Sequence, residues 1–229
     1  MGKKIVKKRK TKSEKISESN KRGKKKQKSE SSYLARKKII YFVSGNKNKL
    51  REITHMFNEN LKDVEIRQLD IDLPEFQGLP EDIIKSKIKL AFEKVKKPKG
   101  PFLVEDSSLC FNAYGGLPGA YIKYFLKAIK PEGLFKMASV FEDHSAYALS
   151  IFALQKNKKE EPHLFIGRAE GEIVPPRGDN NFEWDTCFRP KNYKMTFAEM
   201  SEEEKNKISH RGKSTKALIN WIKNNPEIF

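Results

Sequence analysis

Glu105 and Asp106 are adjacent carboxylates that close the apolar run Phe102-Leu103-Val104, and Ser107-Ser108 follow them. A buried strand that ends in acids is where α/β proteins place ligand sites. Consecutive strand residues point to opposite faces, so at most one of the pair meets a ligand directly unless the strand bends. Glu75 adds a third acid upstream. Hard carboxylate oxygens suit Mg²⁺, which keeps several waters and needs only one or two such ligands beside substrate phosphates. Read singly, Glu75 is also a plain loop acid and Glu105 a solvated strand end.

A second cluster is Ser44-Gly45-Asn46-Lys47-Asn48-Lys49, between an apolar strand and an amphipathic helix. Helix N-termini carry unpaired N–H groups and the positive end of the macrodipole, which favour phosphate. Gly45 lets backbone approach an anion, Asn46 offers an amide and Lys49 a point charge. The motif is neither a Walker loop nor a dinucleotide fingerprint, and an ordinary N-cap with a solvated lysine face reads as well. Phe182-Glu183-Trp184-Asp185 sets an acid among aromatics that suit either base stacking or a core plug. Lys205 to Arg211 places Ser209, His210 and Arg211 before the last helix, although a lone His is more often structural. Arg168, Arg177 and Arg189 fit salt bridging.

The elements that must position these groups follow from pattern. Ile39 to Val43 is a continuous β-prone run, and Leu50, Ile53, Met56 and Phe57 mark one face of a helix over 47–58. A second strand is expected near Val64 to Leu69. A second helix, 80–96, has Pro at its first turn and Ile84, Ile88, Ala91, Phe92 and Val95 as its stripe. Gly115 to Gly119 is a turn before a helix of about ten residues. Ala146–Leu154 and Leu164–Val174 read as a hairpin, and the last helix spans 213–223. Helices alternate with strands early and a hairpin comes late, so the expected fold class is α/β with a mixed sheet.

The chain has 229 residues and a formal net charge of +17. Of that, +14 lies in residues 1–38, where 17 Lys and Arg face 3 Glu, and the rest of the chain carries only +3. The expected organisation is a disordered basic tail, 1–36, and one domain, 37–229. Lys7-Lys8-Arg9-Lys10 and Lys24-Lys25-Lys26 read as a nuclear or nucleolar address, as a weak nucleic-acid contact, or as a solvated tail. Cys110 and Cys187 have no metal-ligand spacing and read as reduced, buried thiols. No apolar run nears the ~18 residues of a membrane helix, so the default location is cytoplasmic, with the tail as a nuclear address the alternative.

Together the segments resemble the inosine triphosphate pyrophosphatase family. The resemblance is carried by SGNKNKLREI (44–53), DLPEFQG (72–78), LVEDSSLCFNAYGGLPGAYIKYFL (103–126), FEDHSAYAL (141–149), GEIVPPRG (171–178), FEWDTCF (182–188) and TFAEMSEEEKNKISHRGK (196–213). It implies an elongated mixed sheet flanked by helices, in two lobes with a nucleotide cleft between them, and a homodimer. It implies hydrolysis of ITP, dITP and XTP to monophosphate and pyrophosphate. It assigns Ser44 to Lys49, with Lys87, to the triphosphate and Glu75 with Asp106 to Mg²⁺. Asp106 is also the implied proton acceptor for the attacking water, with Glu105 and Ser107 beside it. Phe182, Glu183, Trp184, Asp185, Lys205, Ser209, His210 and Arg211 form the implied base-recognising set.

Two positions depart from the family pattern: Glu183 stands where glycine is usual, and Thr186 where proline is. If Glu183 faces the base pocket, it repels an anionic xanthine more than a neutral hypoxanthine; if it faces solvent, it does neither. The competing functional reading is a nucleic-acid-associated protein acting through its tail, and the near-balanced charge of the body speaks against it.

Overall fold

The computed structural model describes Gly2, residues 37–179 and residues 182–229, so the tail expectation lies outside the described residues. Seven strands form one sheet in the order β2-β1-β3-β5-β6-β7, with β4 attached to β3. They are β1 (Lys38–Val43), β2 (Val64–Leu69), β3 (Phe102–Phe111), β4 (Pro118–Gly119), β5 (Ser145–Gln155), β6 (His163–Ile173) and β7 (Phe188–Pro190). The helices are α1 (Lys47–Asn60), α2 (Pro80–Lys94), α3 (Ile122–Ala138), α4 (Glu202–Ile208) and α5 (His210–Asn224).

β1 pairs parallel with β2 and with the start of β3, while β3, β5 and β6 pair antiparallel along their lengths. The mixed sheet expected from the element order is therefore present. β1 meets β3 only at Tyr41–Phe102 and Phe42–Leu103. Beyond Val43 the chain turns into α1, and β3 runs on past it through Glu105 and Asp106. The parallel and antiparallel halves part there, and side chains of α1, α2 and β3 can converge.

Each face of the sheet has its own core. Ile53 and Phe57 of α1 pack with Phe42, Leu103 and Phe152, joined by Leu218, Ile219 and Ile222 of α5. Ile84, Ile88 and Phe92 of α2 pack with Val43, Val104 and Ile151 on the other face. A third cluster, Leu109, Phe111, Leu134, Trp184, Phe188 and Phe197, closes the far end. Leu103 and Val104 thus alternate between faces, and Glu105 and Asp106 continue that alternation.

Several boundaries differ from expectation. β3 does not end at Glu105 to Ser108 but runs on to Phe111, so the two acids lie mid-strand. α3 is longer than ten residues and is broken at Lys130, whose φ of 60° precedes Pro131. α5 begins at His210 and not at Lys213, because Ser209 caps it by accepting the Gly212 amide at 3.0 Å. α4 precedes it, held by a capping box between Ser201 and Glu204.

Candidate active site

The cleft at the end of β1 has a volume of about 550 Å³. One wall is Ser44, Gly45, Asn46 and Lys49; Lys47 and Asn48 of the same motif are exposed and do not line it. The Asn46 side chain caps α1 by accepting the amides of Asn48 and Lys49 at 3.0 and 3.1 Å. Two first-turn N–H groups are therefore satisfied internally, while the Asn46 side-chain amide donates to Glu183 and the Lys49 ammonium pairs with Glu105.

Glu105 and Asp106 both line the cleft but belong to different charge systems. Glu105 is buried on the α1–α5 face. It receives Lys49 Nζ at 2.7 Å, Ser107 Oγ at 2.7 Å and Ser150 Oγ at 2.8 Å, with Arg211 Nε at 3.5 Å. Burial alone would raise its carboxyl, but the charges of Lys49 and Arg211 prevail and hold it well below the ordinary carboxylate range. Asp106, on the α2 face, meets Lys87 Nζ at 2.5 Å through Oδ1. Its Oδ2 has no hydrogen-bond partner among the described residues. Here burial prevails over Lys87 and Lys49 and pushes the carboxyl up.

Lys87 also reaches Glu75 at 2.7 Å, and Lys123 of α3 holds the other oxygen of Glu75 at 2.8 Å. Glu75 and Asp106 thus share one cation, although they lie on separate elements. Two carboxylates around one positive charge form a hard oxygen donor set, and that set fits a divalent cation taking a similar place. Among the described residues no group of three or more His, Cys, Asp or Glu is arranged to hold a metal.

The residues that the resemblance assigns to the base are divided. Glu183 and Trp184 line the cleft, whereas Phe182, Asp185, Lys205, Ser209, His210 and Arg211 are buried behind it. Lys205 bridges Glu52 at 2.9 Å and Asp185 at 2.5 Å, and Arg211 donates to Glu52 at 2.6 Å and to Ser107 at 2.9 Å. Both cations lie over the Phe182 ring, at 4.7 and 5.4 Å. Burial pushes the Asp185 carboxyl up to about 6 against the pull of Lys205.

His210 is 1% exposed and sits beside the rings of Trp184 and Phe197 at 5.2 and 6.1 Å. Burial, aided by the Arg211 and Lys205 charges, drives its pKa well below the ordinary value, so the imidazole is neutral. Among the described residues neither ring nitrogen has a hydrogen-bond partner, nor do Trp184 Nε1 and Thr186 Oγ1. Close packing enforces this burial. A Cβ at Gly167 of β6 would stand 2.0 Å from the His210 carbonyl oxygen, and one at Gly212 would stand 1.9 Å from that of Asn206. Glycine at both positions lets α5 sit on the sheet and against α4.

Glu183 faces neither open solvent nor the buried set: it is half-buried, and its Oε1 accepts the Asn46 amide at 3.2 Å. The cleft also holds residues that pattern alone does not single out, namely Asp70, Asp72 and Lys123. Glu52 is another. It lies one turn after Lys49 on the apolar face of α1, and an acid on an apolar stripe is the signal that marks it.

Residues 40–221 match the model of the Ham1 family. Among solved structures, a HAM1 protein from Coxiella burnetii is similar at a TM-score of 0.70 and 28% identity, covering 82% of this chain and 99% of that one. The Staphylococcus aureus Ham1 protein shares the fold at a TM-score of 0.67 and 23% identity, covering 82% and 100%. A nucleoside-triphosphatase / dITP/XTP pyrophosphatase from Mycobacterium abscessus is similar at 0.60 and 26%, covering 79% and 97%.

Proposed function

The chain belongs to the Ham1 family, and we propose that its cleft hydrolyses the non-standard purine triphosphates ITP, dITP and XTP to monophosphate and pyrophosphate. The observation that carries this reading is the unequal pair astride β3. Glu105 is kept ionised by Lys49 at 2.7 Å and Arg211 at 3.5 Å, while burial raises the carboxyl of Asp106, which meets Lys87 at 2.5 Å. Paired carboxylates driven apart by their environments divide into an electrostatic anchor and a proton acceptor.

In this scheme the triphosphate lies along Ser44, Gly45, Asn46 and Lys49, with Lys87 and Lys123 facing it from the other wall. Water attacks the α-phosphorus, a P–O bond forms, and the bond to the bridging oxygen breaks. Asp106 accepts the water's proton. Glu105 fixes the Lys49 ammonium, which stabilises charge developing on the leaving pyrophosphate. Glu75 and Asp106 would hold Mg²⁺, which when bound supplies Lewis-acid polarisation of phosphoryl oxygens.

The base end rests on the buried orphans. His210 and Trp184 carry polar nitrogens without partners, and buried polar groups are ordinarily paired. A purine edge with a 6-carbonyl would satisfy such donors, whereas adenine's 6-amine would leave them unpaired at about 1–3 kcal/mol each. The exposed apolar side chains Leu117, Tyr124, Phe125 and Ile129 offer a face for the homodimer. The test is a panel of nucleoside triphosphates with Mg²⁺, scored for pyrophosphate. ITP, dITP and XTP are expected to turn over with ATP and GTP far poorer; release of orthophosphate would sink the α-phosphorus mechanism.

A further inference from the structure

Glu183 is one of the non-glycine residues with positive φ among the described residues, together with Lys130 and Asn192. Lys130 precedes the proline that breaks α3, and asparagine tolerates the left-handed region. Glu183, at φ 54°, has neither reason. Strained backbone at a cleft wall persists where the surrounding structure holds it, and it points to a role for the side chain. That side chain spans the cleft to the amide of Asn46, 137 positions away in sequence. Its negative charge acts on Lys49 and Arg211.

We propose that Glu183 is a specificity-determining residue for the polyphosphate end of the ligand, whose carboxylate occupies the anion position at Asn46 and competes with incoming phosphate for it. The inference rests on the reading that Ser44 to Lys49 take the triphosphate. Asn46 Nδ2 cannot serve Glu183 and a phosphate oxygen equally, and a carboxylate near Lys49 opposes a second anion there. Glu183 therefore weakens the hold of the cleft on polyphosphate, the pyrophosphate product included, whichever base the nucleotide carries. A role in reading the base would require the carboxylate to lie against His210 and Trp184; it lies on the phosphate loop instead.

The experiment measures inhibition by inorganic tripolyphosphate, and the ratio of kcat/KM for ITP to that for XTP, in wild type, Glu183→Gln, Glu183→Gly and Lys49→Met. Both Glu183 variants are expected to bind tripolyphosphate more tightly, on the order of tenfold from the lost charge, with the ITP:XTP ratio unchanged. Glu183→Gly should also melt higher than Glu183→Gln, because glycine accepts the positive φ without strain. Unchanged tripolyphosphate inhibition in both variants would overturn the inference, and so would a changed ITP:XTP ratio, which would move Glu183 to the base. If Lys49→Met leaves tripolyphosphate inhibition untouched, the phosphate reading itself fails and the inference with it.

Discussion

The two faces of β3 carry charge in opposite ways. On the α1–α5 face, Glu52, Asp185, Lys205 and Arg211 form a sealed network in which each acid meets at least one cation, and Glu105 with Lys49 joins it to the cleft. On the α2 face, Asp106, Glu75, Lys87 and Lys123 share fewer contacts, and Lys123 is 71% exposed. Removing either charge from a sealed pair strands its partner in a low dielectric, so such networks are costly to break. A half-open set can exchange a cation or a proton with a ligand. The sealed face is built to position and the open one to react.

The sharpest way to break that contrast is Asp106→Asn. It removes the proposed proton acceptor and one of the two proposed cation ligands while Lys87 keeps Glu75 as a partner. Turnover should fall by roughly 10³-fold or more, with an unchanged melting temperature. Near-normal kcat with only a raised KM would strip Asp106 of its catalytic role. Glu75→Gln should act in the same direction more mildly, read as a higher Mg²⁺ requirement.

The converse substitution is Glu52→Gln. Glu52 is buried, and burial would raise its carboxyl, yet Arg211 and Lys205 hold it below its ordinary value. Taking its charge away leaves both cations short of a partner, at a cost of about 3–5 kcal/mol, a large share of a typical domain's stability. The urea midpoint should drop accordingly, whereas Glu75→Gln on the open face should cost under about 1 kcal/mol. Equal losses from the two would mean that the faces do not differ in kind.

A subtler reading of the sealed face uses pH. Glu52 and Glu105 have depressed pKa values, so their stabilisation is present above their ordinary values near 4.5 and is lost as pH falls below them. Asp185 runs the other way. Its folded pKa of about 6 exceeds its ordinary 3.8, so the native state binds the extra proton, and stability declines as pH rises from about 4 to 6. Asp185→Asn should abolish that decline, on the order of 1–3 kcal/mol, in unfolding curves taken across the window. A decline that persists in the variant would assign it to another group.

Much of this contrast is written locally in the chain. The apolar run before Glu105, the cap at Asn46 and the stripe of α2 each obey short-range rules, and Lys87 betrays itself as a lysine on that stripe. What is not written locally is partnership. Glu52 finds Lys205 and Arg211 across more than 150 positions. The burial of His210 depends on glycines in another strand and at α5's own start. Sequence spacing within an element carries no record of such approaches, which is why Phe182 to Asp185 read equally as base stackers or a core plug, and only the fold shows Phe182, Asp185, Lys205, Ser209, His210 and Arg211 to be interior.

The smallest effect should come from the largest concentration of charge. Residues 1–38 carry +14 of the chain's +17, yet the family match begins only at residue 40. The cations that matter in the sealed network matter because they are desolvated and paired; lysines in water at physiological salt act over a Debye length of about 8 Å. Deleting residues 1–36 should therefore leave kcat and the melting temperature nearly unchanged at 0.15 M salt. At low salt the basic segment can raise the local concentration of an anionic nucleotide, so the truncated protein should show a higher KM there, and the gap should close as salt is added. A salt-independent loss of kcat would break this reading, because screening cannot spare a contact made inside the cleft. The same deletion should weaken RNA binding with a strong salt dependence, separating the tail's charge from the chemistry of the domain.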